Sequence, residues 1–523
     1  MTTSSRVMRR SYLLLLVPLL SFAVVASENT PAAAAYAQIE GSGSTWSQVI
    51  VQQWIGDVSA NGIRVTYTGR GSSAGRKAFA AGTTDFGITE VPYQGRGAQG
   101  GDDPPPANRK FAYLPIVAGG TAFTYQLKIG GKKVRNLRLS GQTVAKIFTN
   151  KITNWNDPAI EKDNNGRTFP SLKIRPVVRS DGSGTTAQFT TWLDKEYGSI
   201  WRPFFGRSGL TSYFPRKGNA TGANGSDQVM NTIADRAGNG TIGYVEYSYP
   251  VNKDYPVVKL LNKSGYFVEP TQYNVAVALT KARINKNLTQ ELGGVYRAAD
   301  RRAYPLSSYS YMLLPIGKKD PRMTTNKRQS LTDFMFYSLC QGQAKAGKYG
   351  YSPLPLNLVK AGFSQLAKLK RADSKVNLTN REVTRCNNPT FVPGDLSANK
   401  LAQIAPMPAA CDKIGAGPCT GGTGEAPTTV DDAKNGGAGG GSGGTDDSEG
   451  TGKVDPETGL PVGSASSGGG AASVAVQTEL VSGRTGDNRV FGTLAVIELL
   501  AIIAAPGVVS LVLRRRGRRG LVR

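Results

Sequence analysis

The chain has 523 residues, with 63 Lys and Arg against 37 Asp and Glu, and it contains no histidine. The lack of histidine excludes Ser-His and Cys-His catalytic arrangements. The cysteines form no close cluster that could bind a metal, so we expect neither an enzyme nor a cofactor. The net charge of +26 is inflated by Arg-rich termini and is otherwise spread widely, which argues against a nucleic-acid partner.

The N-terminus has the order of a secretory signal. Arg6, Arg9 and Arg10 precede an apolar stretch that extends from Tyr12 to Val25 and is short for a membrane span. Small residues allow cleavage before Gln38, and the Val-Val-Ala sequence at 24–26 is a competing site. We therefore expect residues 1–37 to be a signal peptide and the following chain to be exported.

Strand-like and helix-like segments alternate in the next part of the chain. Ile63–Thr68 alternates as a strand, Gly69–Gly75 is predicted as a loop, Arg76–Ala81 begins like a helix, and Asp85–Thr89 is predicted as a strand. Further on, Ser140–Phe148 has a capping serine and helical apolar spacing. This alternation predicts an α/β fold with largely parallel sheets, in which ligands bind at the carboxyl ends of strands.

Three Gly/Ser-rich loops each precede a helix-like stretch. They are Gly41–Trp46, Gly69–Gly75 and Arg179–Thr186. The first N–H groups of a helix have no intrahelical partner and carry the positive end of the helix dipole, so a tetrahedral oxyanion can bind there. Such loops also serve as plain helix caps. If the three converge, they form one site for a small oxyanion.

The C-terminal part has the composition of a tether followed by a membrane anchor. We expect a linker over residues 396–490, rich in Gly and Ser from about 420. Phe491–Leu513 is apolar and long enough to span a bilayer, and the Arg-rich residues 514–523 follow as a cytoplasmic tail. A buried core helix is the alternative for 491–513. The sequence thus predicts a single-pass protein of the cell membrane with its N-terminal part outside the cytoplasm.

Four cysteines in an exported chain predict two disulfides, with three possible pairings. We favour Cys411 with Cys419 because they are close in sequence. Cys340 with Cys386 then remains as the second pair.

These segments together resemble the periplasmic phosphate-binding (PstS-type) proteins of ABC phosphate importers. The likeness covers about two thirds of the chain, from Gly41 to around Leu358. It includes the segments Gly41–Trp46, Tyr67–Gly75, Asp85–Gly87, Lys146–Phe148, Ile152–Pro158, Asp181–Thr185 and Ile242–Tyr247.

The resemblance implies a two-lobed, type II periplasmic-binding-protein fold with the ligand cleft between the lobes. Residues 38–114 and 271–395 would form lobe 1, and residues 115–270 would form lobe 2. Hinge strands near Leu114–Ala118 and Val268–Val277 would let the lobes close. A permease and an ATPase are the partners implied, and we expect a monomer.

The resemblance also assigns the ligand groups by position. Arg179 would supply the guanidinium, and Asp181 would orient or balance it, although an aspartate there also suits a turn. The other donors would be hydroxyl groups and backbone N–H groups of Thr45, Trp46, Ser72, Ser183, Gly184 and Thr185.

Glu90 stands where the family has an aspartate that accepts the proton of hydrogen phosphate. A buried carboxylate can accept that proton, whereas a proton-free sulfate would meet it acceptor to acceptor. Glu90 keeps the charge and adds a methylene; a solvated loop glutamate is the alternative.

These expectations give a receptor that binds inorganic phosphate for import. The rival hypothesis is a cell-surface sensor or an adhesion or wall-associated protein that keeps the phosphate-binding fold without transport.

Overall fold

An eight-stranded sheet runs through the residues that the computed structural model describes, namely 36–97, 102–383 and 386–421. The first lobe begins with β1 (Ile39–Gly43), α1 (Gln48–Ser59), β2 (Val65–Gly69), α2 (Ser72–Ala80) and β3 (Phe86–Thr89). β1 lies between β2 and β3 and is parallel to both. Because the carboxyl ends of parallel strands meet at one edge, α1 and α2 begin beside each other.

The second lobe follows a long strand. Strands β4 to β7 are Phe111–Gln126, Lys128–Ile129, Lys132–Lys133 and Arg138–Leu139, and helices α3 and α4 are Gly141–Phe148 and Pro158–Asp163. The next elements are β8 (Arg175–Arg179), α5 (Gly184–Glu196), α6 (Gly198–Phe205), β9 (Thr221–Ala223), α7 (Gly225–Ala234) and β10 (Thr241–Glu246). α8, β11 and β12 are Ser248–Asn252, Lys259–Leu261 and Phe267–Val268.

The chain then returns to the first lobe. Its elements there are α9 (Gln272–Leu279), β13 (Arg283–Ile284), β14 (Gln290–Glu291), α10 (Gly293–Tyr296) and β15 (Ser307–Pro315). α11, α12 and α13 are Thr325–Leu339, Leu356–Ala372 and Lys400–Ile404, and short 3-10 turns occur at Gln341–Lys345, Gly347–Tyr349 and Ala410–Asp412.

The sheet is parallel on both flanks, as predicted, and antiparallel in its centre, where the prediction of largely parallel sheets does not hold. The strand order is β2-β1-β3-β15-β4-β10-β8-β9. β15 is antiparallel to β3 and β4, and β4 is antiparallel to β10. The centre differs because β4 passes from one lobe to the other: its residues 111–120 pair with β15 and its residues 121–126 pair with β10.

Several predicted boundaries shift in the structure. α2 starts at Ser72, so the loop predicted over Gly69–Gly75 contains the first turn of this helix. The second predicted hinge strand, Val268–Val277, is wrong, because only Phe267–Val268 is strand and Gln272–Leu279 is helix. The Thr271 side chain caps this helix by accepting from Asn274 N. Its valines are buried in the core, where a helix and a strand have the same apolar pattern.

Residues 386–421 form what we call the C-terminal strap, and the predicted linker from residue 396 therefore starts too early. Both predicted disulfides, Cys340–Cys386 and Cys411–Cys419, are confirmed. Within the strap, α13 packs against α9, and Arg302 donates to the carbonyl oxygens of Ala402 and Ala405 at 3.2 and 3.0 Å.

The end of the strap is bonded to the second lobe. Lys259 Nζ lies 2.8 Å from Asp412 Oδ2, and Ile414 N donates to Gly265 O at 2.9 Å. Arg138, which is buried, donates to Cys411 O at 2.9 Å. These side chains and carbonyl groups order a segment whose own composition gave no sign of packing.

Within residues 36–97, 102–383 and 386–421, no helix is both long enough and apolar enough to cross a membrane. The predicted signal peptide up to residue 35, the linker from 422, the span 491–513 and the tail 514–523 lie outside the described residues.

Candidate anion-binding site

Three tyrosine hydroxyls fix the backbone of the loop Ser44–Trp46, which follows β1. Tyr67 donates to the first carbonyl oxygen of this loop at 2.7 Å, Tyr249 donates to the second, and Tyr351 donates to the third at 2.6 Å. Burial raises the pKa of all three phenols well above the ordinary value, so they remain protonated donors. The loop is therefore held rigidly at the carboxyl edge of the sheet.

Thr45 meets the second lobe through Ser226. The hydroxyls of Thr45 and Ser226 are 3.0 Å apart, and Ser226 N donates to Thr45 Oγ1 at 3.2 Å. Arg179 Nη1 donates to the same Ser226 Oγ at 3.3 Å. A hydroxyl in the first turn of α7 thus joins the predicted donor of one lobe to the predicted guanidinium of the other.

Arg179 forms a two-bond pair with Asp181. Its Nε lies 2.7 Å from Asp181 Oδ1, and its Nη2 bonds to Oδ2. Gly225 N also donates to Asp181 Oδ1 at 3.0 Å. Burial alone would raise the pKa of Asp181, but the Arg179 bonds and charge outweigh it and lower the pKa. Asp181 therefore stays ionised and holds the Arg179 guanidinium in place.

Glu90 is buried, with only 1% of its surface exposed, and serine hydroxyls surround its carboxylate. Ser72 Oγ donates to Oε2 at 2.6 Å, Ser310 Oγ donates to Oε1 at 2.9 Å, and Ser44 adds a further side-chain hydrogen bond. Burial raises the pKa of Glu90, while the three hydroxyls and the Arg179 charge oppose that rise. The alternative of a solvated loop glutamate does not fit this burial.

The start of α5 faces Glu90. A Cβ at Gly184 would lie only 2.0 Å from Glu90 Oε2, so the backbone approaches the carboxylate as only glycine allows. Ser183 Oγ caps the helix by accepting from Thr186 N at 3.1 Å. Thr185 Oγ1 is buried and has no hydrogen-bond partner among the described residues. The N–H groups of Gly184 and Thr185 have no intrahelical acceptor, as at any helix start.

Trp46 lies beside the site, but its groups are used elsewhere. Its backbone N–H, the predicted donor, bonds to Ser44 Oγ at 2.9 Å. Its ring contacts Tyr351 edge-on at 5.7 Å and packs against Gly119. In this arrangement Trp46 supports the loop.

The two lobes touch each other around these residues. Ser73 N donates to Gly182 O at 3.0 Å, and Gln188 Nε2 donates to Glu90 O at 2.7 Å. The cleft is therefore closed over the cluster formed by Thr45, Ser72, Glu90, Arg179, Asp181, Gly184 and Thr185.

Sequence reasoning missed three serines at this cluster. Ser44 lies within the predicted loop, and Ser226 belongs to a fourth Gly/Ser helix start, Asn224–Ser226, so both had a local signal. Ser310 comes from the middle of β15, where nothing in the sequence marks it. Among the described residues, no group of three or more His, Cys, Asp or Glu could hold a metal ion.

Two lobes that close over a cluster of hydrogen-bond donors and a buried glutamate carboxylate define a binding protein for a small anion. Comparisons with known proteins agree. Residues 28–341 match the PBP superfamily domain. The phosphate-binding protein PstS of Methanocaldococcus jannaschii is 31% identical over 346 residues, which cover 64% of this chain and 86% of that protein. PstS 2 of Mycobacterium tuberculosis is 30% identical over 325 residues, covering 61% and 83%.

Among solved structures, a high-affinity periplasmic phosphate-binding protein with bound phosphate aligns with a TM-score of 0.48 and 20% identity, covering 63% of this chain and 93% of that one. The family rests on the sequence matches. The chain belongs to the PBP superfamily and, within it, to the PstS-type phosphate-binding proteins.

Proposed function

We propose that this protein binds inorganic phosphate outside the cytoplasm and delivers it to an ABC phosphate importer. The observation that carries the proposal is the closed cluster in which a buried guanidinium, Arg179, lies near enough to a buried carboxylate, Glu90, to favour its ionised form. The names of the PstS relatives support phosphate as the ligand and favour transport over a surface sensor.

The ligand set divides into donors and one acceptor. Arg179, the hydroxyls of Thr45 and Thr185, and the backbone N–H groups of Ser72, Gly184 and Thr185 donate to phosphate oxygens. Each charge-assisted hydrogen bond contributes about 1.5 to 3 kcal/mol. Glu90 accepts a hydrogen bond from the one protonated oxygen of hydrogen phosphate. Sulfate has no proton at neutral pH, so its oxygen would face the carboxylate without a hydrogen bond.

The surroundings of the site follow from the same proposal. Residues 1–37 direct export, the chain beyond residue 421 tethers the lobes, and residues 491–513 anchor the protein as a single membrane span. The protein acts as a monomer that meets the permease of the importer, whose ATPase lies in the cytoplasm. The lobes close on phosphate and open to release it.

Calorimetric titration of the purified protein with phosphate and then with sulfate tests this proposal. We expect one phosphate per chain and much weaker binding of sulfate. Absence of phosphate binding would refute it. Normal binding combined with unchanged phosphate uptake in cells lacking the protein would favour the sensor or wall-associated function instead.

A further inference from the structure

Ser310 lies on a central strand of the sheet, away from the three predicted loops, and still reaches the candidate site. Its side chain is fully buried, and its hydroxyl is 2.9 Å from Glu90 Oε1 and 3.2 Å from Ser47 Oγ. A hydroxyl has a single proton to donate. The carboxylate is the stronger acceptor, so we assign that proton to Glu90.

Ser310 and Ser72 hold the two oxygens of Glu90 from different directions. Ser72 comes from the start of α2 and bonds to Oε2, whereas Ser310 comes from β15 and bonds to Oε1. Two bonds on different oxygens fix the plane of the carboxylate. Each oxygen has a further lone pair, so the ionised Glu90 can still accept a hydrogen bond from a protonated ligand.

The groups facing Glu90 include one full charge of opposite sign. Arg179 favours the ionised carboxylate. The phenols of Tyr67 and Tyr311 also face it, and burial raises the pKa of both well above the ordinary value, so they are neutral. Arg76 bonds to the neighbouring Thr89 side chain and is paired with Asp103. Without its hydroxyl donors, the buried carboxylate would be biased toward its neutral form.

We propose that Ser310 is a positioning residue for anion selectivity, because it holds Glu90 ionised and aimed as the acceptor of the ligand proton. This inference rests on the proposed function. Removing the hydroxyl frees Oε1 and favours a protonated Glu90. A protonated carboxyl donates a hydrogen bond, which suits an oxyanion without a proton and disfavours hydrogen phosphate.

The test compares Ser310→Ala with Ser308→Ala, a buried serine two residues earlier on the same strand. Ser308 Oγ has no hydrogen-bond partner within the described part of the chain. Phosphate and sulfate affinities are measured by calorimetry from pH 5 to pH 9 on the full chain. We expect Ser310→Ala to lower the phosphate-to-sulfate affinity ratio about tenfold at neutral pH, the loss of roughly one hydrogen bond.

The dependence of phosphate affinity on pH should also differ between the variants. In Ser310→Ala the loss of phosphate binding toward acid pH should begin at a higher pH than in the unmodified protein. Ser308→Ala should keep the unmodified profile, and Ser310→Thr, which retains a hydroxyl, should restore both ratio and profile.

Three outcomes would overturn the inference. They are an unchanged selectivity in Ser310→Ala, an equal loss of phosphate and sulfate affinity at every pH, and a failure of Ser310→Thr to restore the ratio in a folded protein. Failure of the proposed function is a separate result, because the unmodified protein would then not bind phosphate.

Discussion

Two glutamates are buried within the part of the chain that the structure describes, and their surroundings differ. Glu90 lies at the cleft with both oxygens bonded to serine hydroxyls. Glu246 ends β10 next to the crossing strand, and its Oε2 accepts from Ser248 N at 2.6 Å. Its Oε1 has no hydrogen-bond partner among the described residues and lies close to Gly119. Burial is equally complete at both positions.

The difference shows that complete burial alone does not set the charge state of a carboxylate, and that a nearby cation also matters. Burial raises the pKa of Glu90, and that of Glu246 rises well above the ordinary value. Around Glu90, hydroxyls and the Arg179 charge resist this rise, so the carboxylate can accept a ligand proton. Glu246 also accepts hydrogen bonds, from Ser248, Tyr247 and Tyr351, but no cation stands among the causes that lower its pKa, and it favours the neutral acid.

The largest effect on phosphate affinity is expected from removing the Arg179 charge, which lies near Glu90. Arg179→Ala deletes the main donor to the anion and leaves Asp181 buried without its partner. Phosphate affinity should fall on the order of a hundredfold or more, since breaking a buried charge pair costs about 2 to 5 kcal/mol. Arg175→Ala, on the same strand but outside the cluster, should bind as the unmodified protein does. Calorimetry measures both, and equal losses would contradict the assignment.

A smaller effect is expected at the acceptor itself. Glu90→Gln removes the negative charge, so phosphate affinity should fall roughly ten- to a hundredfold, the contribution of one charge-assisted hydrogen bond. Sulfate affinity should be unchanged or higher. Glu90→Asp restores the residue of the resembled family and should retain selectivity for phosphate. Competition between the two anions checks this, and unchanged selectivity in Glu90→Gln would remove Glu90 from the ligand set.

The smallest effect on binding is expected at the second glutamate. Glu246→Gln is nearly isosteric with the neutral acid, and its amide oxygen can still accept from Ser248 N. Phosphate affinity should therefore stay within about threefold of the unmodified value. A loss as large as that of Glu90→Gln would show that the two environments act alike.

The same variant should change the pH dependence of unfolding. Because the folded pKa of Glu246 is raised, the folded state holds its proton to a higher pH than the unfolded state does. Stability is therefore lost as pH rises from the unfolded pKa to the folded pKa. Glu246→Gln should remove this loss, so its advantage in melting temperature over the unmodified protein should grow from pH 4 toward pH 8. A constant difference across this range would contradict it.

The sequence predicted the helix-start loops well because their chemistry is local. Gly184 and Ser183 lie within one short motif, and the structure brings that motif to Glu90. Ser310 could not be predicted in this way, since its neighbours in the chain say nothing about which strand lies under the cleft. The helix Gln272–Leu279 was misassigned for a related reason: its apolar residues are buried on all sides, so the periodic signal of a helix is absent.

The C-terminal strap has a practical consequence for where the folded region ends. A boundary drawn from composition alone would cut the chain near residue 395 and discard the partners of Arg138, Lys259 and Arg302. Arg138 and Lys259 on the second lobe would then each lose an acceptor, and Cys386 would keep only a short tail beyond its disulfide. A shortened version intended for crystallisation or titration has to continue through Gly421.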